Sequence, residues 1–193
     1  MAPLFPLYYL PPVSWCVAVW KYRQIELEAC EHYQKGSLRN RCYIAGPNGI
    51  QRLSIPLEKG KHQQMPVRDV RIADTDPWQR QHWRSIVTAY GSAPFFEHYV
   101  DGIAPFYEKK YSFLFDFNLK LLEYLFQQKI GWKGAFQLSA QYAPEKMTAP
   151  AATSIRYPQV FEERHGFIPD LSVLDLFFCC GNRSAQALAD VEV

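Results

Sequence analysis

Hydrophobic and polar positions in the first thirty residues predict a strand, a helix and a second strand. The apolar run at 6–10 ends at two prolines, which cannot continue a strand ladder. Residues 13–22 are apolar enough for a buried helix, and residues 24–30 alternate apolar and charged side chains, as a half-buried strand does. This order predicts a parallel βαβ-like unit with its binding crevice at the carboxyl ends of the strands.

A hairpin is predicted after this unit. Residues 41–45 and 51–57 alternate on either side of a turn that contains Asn48 and Gly49. Residues 67–73 alternate once more. Together with the opening unit, these segments predict a mixed sheet of about five strands.

The second half of the chain has the helical spacing of apolar residues, interrupted by a short strand at 135–142. The predicted helices cover residues 77–90, 93–107, 116–131 and 170–180. Asp76, Asp116 and Asp170 stand at predicted helix starts, where a carboxylate can cap free amides. The pattern therefore predicts an α/β protein with an N-terminal βαβ-like unit, a mixed sheet of about five strands and a helical C-terminal half.

The 193 residues fall within the usual length of one domain, so we expect a single domain over 1–193. Polar loops are predicted at 58–66 and 143–156, and the second is long enough to act as a substrate lid. The tail after residue 181 is expected to fray.

Composition narrows the functional classes. The net charge of +2 and the absence of a long basic run argue against a nucleic-acid partner. No apolar run reaches the length of a membrane span, and the opening residues lack a basic signal-peptide region, so a cytoplasmic protein is expected. Peripheral contact with a lipid-linked glycan stays open, as does the oligomeric state. Aromatic residues make up 16% of the chain, which suits either a sugar-binding surface or core packing.

Cysteines and known loop motifs give little evidence of a cofactor. The five cysteines stand at positions 16, 30, 42, 179 and 180. They lack the Cys-x-x-Cys spacing of metal or redox sites, so we expect reduced, packed thiols. Cys42, which lies close after Arg39 and Arg41, is the best candidate nucleophile, but its thiol would need activation. No metal-ligand spacing or glycine-rich phosphate loop occurs, so no cofactor and no metal are expected.

The segment 32–41 is the strongest candidate for chemistry. Lys35, Arg39 and Arg41 could hold a phosphate, a pyrophosphate or a carboxylate. Asn40, on the opposite face of an extended segment, could instead fix the backbone. The alternative is a basic edge whose cations pair with Glu26, Glu28 or Glu31.

Three histidines are candidate acid–base groups because imidazole changes charge near neutral pH. They are His32, beside the cations, His82, on an apolar helix stripe, and His165, before the last predicted helix. His82 could equally be a hydrogen-bonded core residue.

The motif Tyr33-x-Lys35-x-Ser37-x-x-Asn40-Arg41, followed by Leu-Ser-Ile-Pro-Leu at 53–57, resembles the WbqC-like family of bacterial surface-polysaccharide gene clusters. Family-like blocks also occur at 6–12, 78–90, 93–96 and 164–172. The resemblance implies a role in making O-antigen or a similar glycan, with transfer of glycine or another aminoacyl group to a sugar. It also implies a substrate site that includes the motif residues together with Trp78, Tyr90 and Asp170.

Three functional hypotheses follow. In the first, a group transferase uses a histidine to deprotonate an acceptor amine or hydroxyl, while Lys35 and the arginines bind the anionic donor or a developing oxyanion. The second is an enzyme that binds a nucleotide or nucleotide-sugar, suggested by the opening βαβ-like unit. The third is a non-catalytic carbohydrate-binding protein, which would account for the many aromatic residues.

Overall fold

A computed structural model of the chain describes residues 2–58, 65–74, 76–150 and 155–191. Most of the predicted loop at 58–66, and residues 151–154 of the predicted loop at 143–156, lie outside this part of the chain. Within it the structure has five strands and seven α-helices, which confirms the predicted α/β class. None of the helices in the described ranges is long and apolar enough to cross a membrane.

The predicted βαβ-like unit is present, but its first strand ends at Pro6, where the predicted run at 6–10 begins. Strand β1 (Leu4–Pro6) and strand β2 (Gln24–Glu28) are parallel and are connected through helix α1 (Val13–Trp20). Strand β5 (Ala135–Leu138) adds to the other side of β2, also in parallel, so the strand order is β1-β2-β5. The carboxyl ends of three strands therefore lie at one edge of this sheet.

The predicted hairpin forms a second sheet of its own. Strand β3 (Arg41–Gly46) pairs antiparallel with strand β4 (Gly49–Ser54). Gly49, with a φ of 105°, provides the left-handed backbone that the turn needs. The five strands are thus divided between two sheets. The residues at 67–73 form a 3₁₀ turn and isolated bridges instead of a strand. The buried Val67 and Val70 are three positions apart, which is the spacing of a 3₁₀ turn and not of a strand.

The second half is helical, as predicted. Its helices are α2 (Trp78–Tyr90), α3 (Phe96–Glu108), α4 (Leu114–Glu123), α5 (Glu162–His165), α6 (Val173–Cys180) and α7 (Arg183–Ala189). Helix α4 continues into a π-helical turn at Tyr124–Lys129. The tail does not fray at residue 181. Helix α7 buries Leu188, and the hydroxyl of Ser184 donates a hydrogen bond to the backbone oxygen of Leu176.

The three predicted aspartate caps were wrong. Asp116 lies inside the first turn of α4, and the start of that helix has no side-chain cap. The side chain of Asp76 forms no capping hydrogen bond to α2. Asp170 instead accepts a hydrogen bond from the backbone amide of Ser14, at 2.8 Å, in the first turn of α1. Ser172 caps α6 through its hydroxyl. A carboxylate caps the amides that are nearest in space, and in this fold the start of α1 lies beside Asp170.

Most of the large aromatic side chains are core residues. Trp15 is fully buried, donates its indole N–H to the backbone oxygen of Pro6 at 3.0 Å and packs edge-on against Phe5 and Phe126. Tyr9 and Tyr90 are also fully buried. The aromatic content of the sequence is therefore mainly a property of the packed interior.

Candidate functional site

The cationic segment 32–41 follows β2 and lies near the carboxyl edge of the parallel sheet. The backbone amide of Tyr9, in the segment after β1, donates to the carbonyl of Leu38 at 3.0 Å, which ties the segment to this edge. Arg39 lies over the ring of Tyr8, at 5.9 Å from its centre. The sheet therefore positions the segment where ligands bind in open α/β sheets.

Arg39 is held by a buried two-pronged ion pair. Its Nε donates to Oε1 of Glu31 at 2.5 Å, and its Nη2 donates to Oε2 of the same carboxylate. Both residues are almost completely buried. The side-chain oxygen of Gln34 accepts a further bond from Nη1 at 3.2 Å. Arg39 therefore neutralises Glu31. This is the ion pair that the sequence analysis gave as the alternative to binding of an anionic ligand by Arg39.

Asn40 fixes the backbone next to this pair. Its Oδ1 accepts from the hydroxyl of Tyr33 and its Nδ2 donates to the carbonyl of Ile55, both at 2.9 Å. Asn118 of α4 adds a bond of 2.7 Å to the carbonyl of Arg39. These bonds join the segment to the hairpin sheet and to α4, so it is a rigid support.

An open cleft of about 400 Å³ lies on top of this support and is lined by His32, Tyr33, Gln34, Lys35 and Tyr142. His32, Lys35 and Tyr142 are exposed. Lys35 has no carboxylate within ion-pair distance among the residues that the structure describes. The cleft thus offers an imidazole, an aromatic ring and a cation with no acidic partner in the described part of the chain.

Ser37 and Arg41 support the cleft from its two sides. The hydroxyl of Ser37 donates to the carbonyl of Gln34 at 2.7 Å and closes the turn that carries Lys35. Arg41 opens β3, and its Nε is buried without a hydrogen-bond partner in the described ranges. Burial raises the pKa of Tyr33, while the charge of Arg41 acts in the opposite direction. Arg41 therefore places positive charge behind one wall of the cleft.

His82 lies elsewhere, in a buried aromatic network. Its Nδ1 is 2.9 Å from the hydroxyl of Tyr9, which is in turn 2.9 Å from the hydroxyl of Tyr107. Trp78 packs edge-on against the imidazole, with 5.2 Å between ring centres. Burial lowers the pKa of His82 to about 4, and a backbone hydrogen bond with Ser54 offsets part of this effect. The imidazole is neutral at physiological pH, and this geometry favours the core role for both His82 and Trp78.

His165 and Asp170 are not brought into the cleft. His165 Nε2 lies 3.1 Å from the carbonyl of Pro47, at the turn of the hairpin. The hairpin turn and Arg41 lie at opposite ends of β3, which are about 17 Å apart at the usual rise per residue of a strand. Asp170 caps α1 and borders a small recess of about 160 Å³ that also contains Cys42. Burial raises the pKa of the Cys42 thiol, which argues against a reactive thiolate.

The ends of β2 and β5 are joined by Glu28, which the sequence offered only as a possible partner of the cations, and Ser139, which the sequence did not single out. Oε1 of the buried Glu28 accepts from the hydroxyl of Ser139 at 2.8 Å and from the amide of Cys30 at 2.6 Å. Its Oε2 is buried without a partner in the described part of the chain. A glutamate at every second position of a strand, as Glu28 is, predicts a side chain that faces solvent. The neighbouring residues therefore give no indication that Glu28 is buried and bonded to Ser139.

Asp175 of α6 was also missed, because it lies in an apolar helix pattern. It is fully buried, and its Oδ2 accepts from the side-chain amide of Gln159 at 3.0 Å. The hydroxyls of Tyr90 and Tyr157 lie beside the carboxyl and favour its charged form, but burial is the larger effect and raises its pKa. Tyr90, which resemblance assigned to the substrate site, is thus part of this buried network.

Asp175→Asn is expected to keep the stability of the protein at neutral pH, because an amide keeps the hydrogen bonds without a buried charge. Asp175→Leu removes the buried acceptor of one Gln159 hydrogen bond and of the Tyr90 and Tyr157 hydroxyls, and should cost about 1–3 kcal/mol. Because folding raises the pKa, the carboxyl favours the folded state at low pH and loses that contribution as pH rises through the folded value. Urea unfolding over pH should show this loss in the wild type and not in the Asn variant. Equal stability of the Asn and Leu variants would contradict the assignment.

No group of three or more histidine, cysteine or acidic side chains is arranged for a metal ion in the ranges that the structure describes. The expectation of no cofactor therefore stays a prediction.

Comparison with known proteins matches the part of the chain that contains the cleft to one protein family. The WbqC-like protein family matches residues 7–154, which include the cationic segment, the hairpin and Tyr142. Uncharacterized protein Rv1507c from Mycobacterium tuberculosis (strain ATCC 25618 / H37Rv) is 28% identical over 195 residues, covering 81% of this chain and 83% of that protein. No solved structure matches the chain significantly.

Proposed function

The chain belongs to the WbqC-like protein family, and from this premise we propose that it is a cytoplasmic group transferase of surface-polysaccharide biosynthesis. The transferred group is of aminoacyl type, such as glycine, and the acceptor is a sugar. The observation that carries the proposal is the cleft in which Lys35 and His32 are both exposed above a rigid buried support.

Lys35 is the proposed binding group for the donor. Its ammonium group pairs with no carboxylate among the described residues, and it can bind a phosphate or carboxylate as a mobile point charge. The two-pronged Glu31–Arg39 pair and the bonds of Asn40 hold the turn below it. The donor is therefore bound at a fixed place, as an efficient transfer requires.

His32 is the proposed base. Its neutral imidazole takes the proton of an acceptor amine or hydroxyl while that heteroatom forms a bond to the acyl carbon. The donor's leaving group departs with the electron pair of the bond that breaks, and Lys35 stabilises the negative charge that develops. The roles predicted for His82 and His165 would need movements that bring them to the cleft.

Lys35→Ala is expected to weaken binding of an anionic donor about tenfold, or about 1.4 kcal/mol, because the ammonium charge is lost. Donor binding is measured by the rise in melting temperature with nucleotide sugars, nucleotides, aminoacyl adenylate mimics and free sugars. Lys133→Ala is the matched control, since Lys133 is an exposed lysine preceding β5, at the opposite edge of the sheet. His32→Ala should retain donor binding and lose turnover.

The same screen separates this proposal from its alternatives. The parallel βαβ unit with cations at its carboxyl edge favours a nucleotide as the second candidate ligand. Stabilisation by plain nucleotides and not by aminoacyl donors would support that candidate. A response to free sugars alone, unchanged in Lys35→Ala and His32→Ala, would show a non-catalytic carbohydrate-binding protein and overturn the transferase proposal.

A further inference from the structure

A second, wider cleft of about 630 Å³ lies between the end of α3 and α4. Its walls are the connection between these helices, at 109–113, the exposed face of α4, and the π-helical turn. This volume is in the range of ligand sites. Single π-helical turns are frequent at functional sites, and here the π-helical turn contributes Tyr124 and Gln128 to the lining.

The wall at 109–113 is fixed by contacts from two directions. The side chain of Gln79 in α2 donates to the carbonyls of Phe106 and Lys109. The amide of Ile72 donates to the carbonyl of Ser112 at 2.9 Å, and the amide of Leu114 to that of Val70 at 2.9 Å. The cleft is therefore preformed between rigid elements.

Tyr124 is held against α3 at the floor of the cleft. Its ring packs on Phe106 with 5.3 Å between centres. Its hydroxyl is buried against Gly102, where a Cβ would overlap it, and has no hydrogen-bond partner in the described part of the chain. Gly102 thus makes the room that this ring position needs.

The polar groups of the cleft include both donors and acceptors. Asp116, Lys120 and Glu123 follow one stripe of α4, and neither acid forms an ion pair within the described ranges. The ammonium of Lys120 lies over the ring of Tyr111, 5.8 Å from its centre. Lys109 lies across from this stripe, also without an ion-pair partner there.

This chemistry selects the class of ligand. A polyanion would meet repulsion from Asp116 and Glu123, whereas hydroxyl groups can donate to the carboxylates and accept from the lysines. Aromatic rings at the same place can pack against the apolar face of a sugar ring. A neighbouring recess of about 150 Å³ shares Lys110, Tyr111 and Ser112 with the cleft, which gives room for more than one ring. We infer that this cleft is a saccharide-binding site, separate from the cleft of Lys35.

The test is titration of the ¹⁵N-labelled full chain with maltotetraose and chitotetraose, and in parallel with inorganic phosphate and ADP. Saccharides at millimolar concentration should shift the amide signals of 109–113 and 123–128 in a saturable way. Asp116→Ala combined with Lys120→Ala should weaken this binding at least tenfold. Lys21→Ala is the matched control, because Lys21 is an exposed lysine over the ring of Tyr22, at 5.4 Å, on another part of the surface.

Gly102→Ala is an independent variant that moves Tyr124 and leaves the charges in place; it should also weaken saccharide binding. The inference is overturned if no saccharide shifts these amides, if the double variant binds as the wild type does, or if only phosphate and ADP shift them. These outcomes are distinct from failure of the transferase proposal, which is read from Lys35→Ala and from signals at 32–35.

Discussion

Replacing Arg39 with methionine is expected to lower the free energy of unfolding by about 3–5 kcal/mol. The substitution keeps much of the side-chain volume but leaves the carboxylate of Glu31 buried without its cation. Glu31 is only 1% exposed, so water cannot replace the lost partner. Urea unfolding with linear extrapolation measures the change.

Two further variants test whether this loss of stability comes from breaking the buried ion pair. Glu31→Gln combined with Arg39→Met removes both charges and should recover much of the lost stability, since breaking one side of a buried pair is costlier than removing both. Arg156→Met is the matched control, because the Arg156–Glu162 pair is solvent-exposed on the arginine side and should be worth at most about 1 kcal/mol. If Arg39→Met and Arg156→Met cost the same, the buried pair does not support the cleft.

His82 is expected to make the protein less stable as pH falls from about 6.5 to about 4. Folding lowers the pKa of this imidazole, so the unfolded chain binds more protons in that interval and stability rises with pH. Across this interval, protonation should lower the free energy of unfolding by on the order of 3 kcal/mol. His82→Gln can keep hydrogen bonds to Tyr9 and to Ser54 without titrating, so its free energy of unfolding should depend less on pH.

The comparison is made by urea unfolding at neutral pH and at about pH 4.5. His98→Gln serves as the control, since His98 is an exposed histidine outside the buried network of His82. A wild-type pH dependence that persists in His82→Gln would contradict the buried neutral imidazole. Donor binding by His82→Gln at neutral pH would further separate its core role from catalysis.

Features that depend on neighbours in the chain could be predicted from the order of the residues. Alternation around 24–30 predicted β2, because a half-buried strand shows its two faces in its residue order. Asn48 and Gly49 predicted the hairpin turn, because few residues tolerate its backbone. The order of the motif blocks predicted the family, and the family match over 7–154 confirmed it.

The sequence predicted the candidate site only in part. The segment 32–41 does line a cleft through His32 and Lys35, but Arg39 pairs with Glu31 and is buried. The sequence left both outcomes open, because a row of cations looks the same whether a ligand or a carboxylate neutralises it. His82 was ambiguous for a similar reason, since an apolar helix stripe gives no information on the partners of a buried imidazole.

Contacts between groups that are distant in the sequence could not be predicted in this way, because they depend on how the elements pack. Asp170 caps a helix that begins more than 150 residues before it, and Ser139 binds Glu28 across two strands. The second cleft likewise depends on Gly102 of α3 making room for Tyr124 of the π-helical turn. Periodicity records which side of an element is buried, whereas hydrogen-bond partners, pKa shifts and clefts depend on the elements packed against that side, which the local order of residues does not specify.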